Sequence, residues 1–483
     1  MSPSLYPCTA HRWCGCSLAP ARYAAELADV FQAETGKVAN QPALADAVLV
    51  LEGRARRTEP VPLALRVAYV DGAAWLDLGD LSGRAVKITA TGWHIESAPP
   101  ILFRRTALTG VLPDPAKDGD VTEAWTLVNV APESRPVLLA WLLSALLPDC
   151  PHPIAALVGE QGTGKTSASR MLTGLLDPSP AQLRKPPRDV DAWVTAAAGS
   201  WVVGLDNISG VPDWWSDALC RAVTGDGDVR RRLYSDADLA VFAFRRVILV
   251  NGIDLGSVRD DLAERLLTVE LHRITKRLYD ADVKAAWAQA HPRILGGLLD
   301  LAVQVLAEIP RTCLAQPPRM ADFARVLAAV DAVLGTAGLA TYTALAGELA
   351  ADAVAGDPVL SALVDTITES WTGTATDLLP ILGDGTEHGK AWPKNARAMT
   401  IVLRRRAPSL RRLGWTVDDL GRQGKANAVR FPIEPPKGKR QASDSTASAS
   451  DSTDDARLPA PLPTSENDKT ASEASDASDR CAF

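Results

Sequence analysis

Eight consecutive residues constrain this chain more than any others. Gly159-Glu160-Gln161-Gly162-Thr163-Gly164-Lys165-Thr166 match G-x-x-x-x-G-K-[ST] in full. A short apolar run, AALVG at 155–159, leads in, and a helix-forming run, SASRMLTGLL, leads out. The glycines free the backbone to curl, so that successive N–H groups face phosphate oxygens. The helix that follows aims its positive end at the same anion. Lys165 supplies a point charge for the β- and γ-phosphates, and the Thr166 hydroxyl a ligand for Mg²⁺. The motif predicts nucleotide binding at Gly159, Gly162, Gly164, Lys165, Thr166 and Ser167.

Two further apolar runs have the look of strands buried on both faces, WVVGLD at 201–206 and RVILVN at 246–251. Asp206 ends the first, 41 residues after Lys165, where an acid at a strand tip holds Mg²⁺. A surface Asp-Asn turn after a core strand is the competing reading. Asn251 ends the second and is placed to orient water against the γ-phosphate, with a turn Asn before Gly252 as the competing reading. The segment RDDLAERLLTVEL at 259–271 is amphipathic and carries Arg265 among Leu262, Leu266 and Leu267. Arg265 is read either as a finger reaching a neighbouring subunit's γ-phosphate or as a helix-face Arg pairing with Asp261. Apolar runs alternating with helices predict an α/β fold, a P-loop NTPase core of AAA+-like type around a parallel sheet.

Charge is unevenly spread. The net charge is −7 over 483 residues, but residues 371–440 carry +8 and 441–483 carry −6. A basic module therefore lies between an acidic body and an acidic tail, and the tail is expected to compete with DNA for it. Seven cysteines suit a reducing compartment rather than a disulfide framework. The longest apolar stretch, VLLAWLLSALL at 137–147, has 11 residues where a bilayer core needs about 20. It reads as a buried helix, and the protein as cytoplasmic with no membrane partner.

The organisation expected is a Cys-rich, unordered N-terminus over 1–20, then a helical and β-rich accessory module over 21–124. The P-loop core follows at 125–275, then a helical bundle at 276–355, a winged-helix module at 356–434 and a disordered acidic tail at 435–483. Alternating Val/Ile/Tyr runs between 63 and 103, broken at Asp71-Gly72 and Ser82-Gly83, predict hairpins. In the basic module, three helical regions and two strands around Gly421–Gly424 make the winged-helix pattern. Arg404, Arg405, Arg406, Arg411 and Arg412 on the third helix, with Arg422, Lys425 and Arg430 on the wing, are the footprint of a DNA backbone. A basic face paired with the tail or another subunit is the alternative.

Weaker signals carry less. Cys8, His11, Cys14 and Cys16 have the composition of a zinc site, but the spacing is cramped and no second ligand pair follows, so zinc is not expected. Cys150, Cys220 and Cys313 are isolated, and the histidines stand near no nucleophile at motif spacing. Trp214-Trp215 reads as packing before it reads as a base-stacking pair.

The order of phosphate loop, acidic strand, Asn-tipped strand and trailing Arg resembles the superfamily-3 helicases, and more closely the helicase part of phage and integrative-element primase-helicases. TGDGDVRRRLYSDADLAVFAFRRVILVNGID at 224–254 is similar to the segment which that family carries before its Asn-tipped strand. The resemblance implies a basic DNA-facing loop at Arg230, Arg231 and Arg232 inside a hexameric ring. It is specific over about 150–275 and covers no primase active site, which implies a separately encoded primase or initiator. Single-stranded or forked DNA is the implied partner. One residue departs from the pattern. The family follows the Mg²⁺-binding acid with a second acid, and Asn207 stands there. The reading is thus an ATP-dependent DNA helicase or translocase in mobile-element replication, with an ATP-gated initiator or loader of little hydrolysis as the alternative. A small-molecule P-loop kinase fits poorly, because no substrate lid is apparent.

Overall fold

The computed structural model describes residues 19–55, 57–59, 61–225, 227–231, 239–252, 258–274, 278–383, 392–423 and 428–436. The zinc-like cluster at 8–16 and the acidic tail from 437 on lie outside these residues.

Two helices come first, α1 (Ala19–Thr35) and α2 (Gln41–Ala55). Strand β1 (Leu63–Ala64) precedes an antiparallel meander of β2 (Val67–Val70), β3 (Ala73–Asp77), β4 (Ala85–Thr89) and β5 (Gly92–Glu96). Strand β6 (Leu102–Phe103) then returns to pair with β1 in parallel. The first hairpin turns on Asp71 at φ 52° and Gly72 at φ 72°. Both are left-handed, the mirror-image turn whose twist suits a two-residue hairpin.

The meander is not an appended module. Val67, Leu76, Val86 and Ile88 belong to one buried cluster with Leu143, Ile154 and Leu298 of the following elements. Arg66, 1% exposed, crosses the junction. Its Nε lies 2.9 Å from Asp177 Oδ1, and its two terminal nitrogens donate to the carbonyls of Asp77 and Gly110.

The next stretch holds α3 (Ala124–Leu127) and α4 (Arg135–Ser144), whose residues from Pro136 on are all buried, as the uninterrupted apolar run requires. Then come β7 (Ile154–Val158), α5 (Lys165–Leu176), β8 (Leu183–Arg184), α6 (Val190–Ala198), β9 (Val202–Leu205) and α7 (Asp213–Thr224). A hairpin of β10 (Gly227–Arg231) and β11 (Leu239–Ala243) precedes β12 (Val247–Asn251), α8 (Asp260–Ala263) and β13 (Leu266–Glu270). The five strands other than the hairpin form one parallel sheet in the order β13-β7-β12-β9-β8. This is a P-loop NTPase core of AAA+-like type. Because β7 is flanked by the two latest strands, its C-terminal end is where sheets of this kind bind ligands. The amphipathic segment 259–271 is not one helix. It divides into a single turn, α8, and the edge strand β13, where Leu267 and Val269 are buried.

Helices α9 (Asp280–Glu308), α10 (Ala321–Leu334) and α11 (Gly338–Ala355) pack on this core. The C-terminal elements are α12 (Pro358–Thr366), β14 (Trp371–Thr374), α13 (Ala375–Leu382), α14 (Ala396–Arg412), β15 (Thr416–Val417), β16 (Arg422–Gln423) and β17 (Ala428–Glu434). They enclose a separate core around Leu363, Met399, Leu403 and Phe431. Strand β17 pairs antiparallel with β14, β15 and β16. Strand β14 is hidden in the sequence because Thr374 ends it and also caps α13 in a reciprocal box with Asp377. Among the described residues no helix is long and apolar enough to cross a membrane.

Candidate functional site

Strand β7 ends at Val158 and α5 begins at Lys165, so the phosphate loop spans the tip of the central strand and the helix N-terminus. Gly159, Gly162 and Gly164 have φ of 144°, 89° and 77°, conformations that side chains rarely adopt. A Cβ on Gly159 would stand 2.7 Å from the Leu271 carbonyl oxygen, and one on Gly164 2.8 Å from Ile274. The chain leaving β13 therefore closes one wall of the loop. Lys165 folds back, its Nζ donating to the carbonyls of Gly159 at 2.7 Å and Glu160 at 2.8 Å. Ser167 is exposed in the first turn of α5.

Asp206 follows β9 at the same end of the sheet. The Thr166 hydroxyl donates to its Oδ1 at 3.2 Å, and its backbone N–H is held by the Arg184 carbonyl at 2.9 Å. These two groups fit a Mg²⁺ shared with nucleotide phosphates, since that ion is commonly held by one or two carboxylates plus phosphate oxygens. Among the described residues no group of three or more His, Cys, Asp or Glu side chains stands ready to hold a metal alone.

Asn251, 3% exposed, uses its whole side chain inside the protein. Its Oδ1 accepts from the Asn207 N–H at 2.9 Å, and its Nδ2 donates to Ser169 Oγ at 2.8 Å. Ser169 in turn donates to the Lys165 carbonyl at 2.8 Å. Sequence reading missed Ser169, although its position four residues after Lys165 on a helix is the place from which a hydroxyl reaches that carbonyl. Asn207 has φ 58°. Asn and Asp both tolerate the left-handed region better than most residues, so this backbone does not by itself select the amide over an acid.

The structure does not bring Arg265 to this cluster. Arg265 precedes β13, and its carbonyl accepts from Ile154 N–H at the N-terminal end of β7. It thus lies at the opposite end of the sheet, one strand length, roughly 15 Å, from the phosphate loop. It is 9% exposed, its Nη1 donates to the Asp261 carbonyl at 2.6 Å, and its Nε is buried without a partner. The Asp261 carboxylate is 3.8 Å away.

Arg230 and Arg231 lie on β10, in register with Ala240 and Leu239 of β11. Arg232 falls outside the described residues. The adjacent Arg245 and Arg246 are occupied within the core, donating to the carbonyls of Pro148 and Thr224 and of Ala197. In the C-terminal elements, Arg404 Nε lies 2.6 Å from Asp419 and Arg406 Nε 3.2 Å from Asp357. Arg411 donates to the Val417 carbonyl at 2.9 Å. Arg412 is paired with Glu264, which also holds Arg319. Arg405 is exposed, and Lys425 lies outside the described residues. Trp215 is buried, in keeping with packing. Burial pushes the Cys150 and Cys220 thiols up to about 12, so both are inert as nucleophiles.

A family model for actinomycete integrative conjugative element replication proteins matches residues 121–352. A second, for the C-terminal domain of the same replication proteins (AICE RepA), matches residues 359–447. A search of curated proteins found no match. Among solved structures, the chain is similar to one titled an active helicase, SCCmec type IV Cch, at 10% identity and a TM-score of 0.42, over 85% of this chain and 86% of that one. It is also similar to the NrS-1 C-terminal region at 12% identity and a TM-score of 0.36, over 85% and 90% of the two chains. A JCV helicase with a bound compound matches at 12% identity and a TM-score of 0.21, over 48% and 70%.

Proposed function

The chain belongs to the replication proteins of actinomycete integrative conjugative elements, and on that premise we propose that it is a Mg²⁺-dependent ATPase that drives DNA strand separation. The observation that carries the reading is the Thr166–Asp206 pair at 3.2 Å beside a loop whose Gly159, Gly162 and Gly164 take positive-φ conformations. Lys165 is poised to leave its two loop carbonyls for the β- and γ-phosphates, and Thr166 and Asp206 would hold the Mg²⁺, which supplies charge neutralisation when bound. Asn251 and Ser169 keep the Asp206 tip in register with the loop.

In this proposal six copies form a ring. Arg265, on the face away from its own phosphate loop, would serve the next subunit's site after leaving Asp261. Arg230, Arg231 and Arg232 of the β10–β11 hairpin would track single-stranded or forked DNA, and the C-terminal elements act as a winged helix on DNA. Priming is supplied by a separate protein. One observation favours a second reading, an ATP-gated initiator or loader with little hydrolysis. Asn207, which cannot accept a proton, follows Asp206.

Strand separation on a forked duplex tests the choice. The motor predicts separation with ATP and none with a non-hydrolysable analogue. Nucleotide-dependent DNA binding with no separation in either case favours the initiator.

A further inference from the structure

Helix α14 buries Met399, Leu403, Ala407 and Leu410. On the outside, Arg397, Ile401, Arg404 and Arg405 follow at spacings of three and four, one stripe about 12 Å long. Lys394, just before the helix, is exposed as well. Arg404 is held by Asp419, but Lys394, Arg397 and Arg405 meet no acid among the described residues. Ile401 sits in the middle of these cations at 56% exposure.

The stripe changes partner at its C-terminal end. Seven residues after Arg405, Arg412 is back on the same side of the helix and pairs with Glu264, in the turn between α8 and β13. Arg319 binds the other carboxylate oxygen. The Glu264 side chain is 7% exposed, so pulling Arg412 away would strip a buried carboxylate of one of its two cations, a costly change.

We infer that α14 divides its arginines between two tasks. The open N-terminal half of the stripe, Lys394, Arg397 and Arg405 around Ile401, is the surface for duplex DNA, whereas Arg412 bolts the module to the ATPase core through Glu264. This rests on the proposed DNA-binding role of the module. A duplex is favoured over a single strand because the module has no open aromatic platform among its described residues. Trp392, Trp415 and Phe431 are buried and Trp371 packs against their core. Unstacked bases need such a platform. A row of cations on the first turns of a helix instead suits the phosphates and groove of a duplex.

The test is equilibrium binding of the full chain to a labelled 30-base-pair duplex and to a single strand of equal length, across a salt series. We expect the α14 variants to weaken binding of the duplex and to leave binding of the single strand, which the proposed function gives to the β10–β11 hairpin, little changed. Arg397→Ala and Arg405→Ala should each lower the slope of log K against log salt by about one. Arg412→Ala should leave that slope unchanged and lower the melting temperature, and Glu264→Gln should do the same. An Arg412→Ala slope loss equal to that of Arg397→Ala, or an Arg397→Ala loss as large on the single strand as on the duplex, overturns the division. So does unchanged binding in both Arg397→Ala and Arg405→Ala, which would leave the stripe to the acidic tail. If duplex binding behaves as expected while the chain binds no nucleotide, the ATPase reading fails and the division stands.

Discussion

Asn251 and Ser169 are joined by a 2.8 Å hydrogen bond that fastens the tip of β12 to the phosphate-loop helix. The other end of the Asn251 amide holds the Asn207 N–H, so one side chain sets the spacing between Lys165 and Asp206. On the proposed ATPase reading its contribution to turnover would be positional. Ser169→Ala leaves a buried amide N–H without its acceptor, costing about 1–3 kcal/mol. Steady-state kinetics should show kcat reduced about tenfold with KM little changed. Unaltered kcat would remove Ser169 from the site.

Asn207 holds a backbone conformation that Asp accepts and Glu accepts less well. If a second acid is all that the water-activating position lacks, Asn207→Asp should raise ATP turnover several-fold. Asn207→Glu should gain less, because strain of about 1–3 kcal/mol accompanies it. Equal turnover in wild type and both variants would show that position 207 does not face the attacking water.

Arg66 and Asp177 form the buried tie between the β2–β5 meander and the end of the phosphate-loop helix. Asp177 Oδ2 also accepts from the Trp201 and Val202 N–H groups at 2.8 and 2.9 Å, at the start of β9. Arg66→Ala leaves this carboxylate without its cation and should cost about 3–5 kcal/mol. Denaturant unfolding measures the loss, and a change below about 1 kcal/mol would contradict the tie.

His152 lies in the core against Trp201, its Nε2 without a partner and its Nδ1 3.3 Å from Ser144 Oγ. Burial, followed by the nearby Arg245 charge, pushes its pKa down to about 3. The folded state therefore keeps it neutral, while the unfolded chain takes up a proton near pH 6.5. Stability is unaffected above that value and falls as pH drops from 6.5 toward 3. The loss attributable to His152 is about 2 kcal/mol at pH 5. His152→Leu should flatten the decline of melting temperature between pH 7 and 5; an unchanged slope would mean that this histidine does not titrate on unfolding.

Legibility in the sequence followed how local the determinants are. The phosphate loop and the strands carrying Asp206 and Asn251 were readable because apolar runs and glycines encode them within a few residues. Strand β13 was not, since Leu262, Leu266 and Leu267 suit a helix until Thr268 and Val269 pair with β7. Strand β8, two residues long, exists only by pairing with β9. The roles of Glu264 with Arg412, and of Arg66 with Asp177, depend on contacts across 148 and 111 residues, beyond any local spacing.

The most direct test of the central claim is steady-state ATP turnover of the full chain with and without single-stranded DNA, with Lys165→Ala as the blank. The account predicts DNA-stimulated turnover that disappears in Lys165→Ala. Turnover that persists in that variant, or nucleotide binding that DNA never converts into turnover, would contradict it.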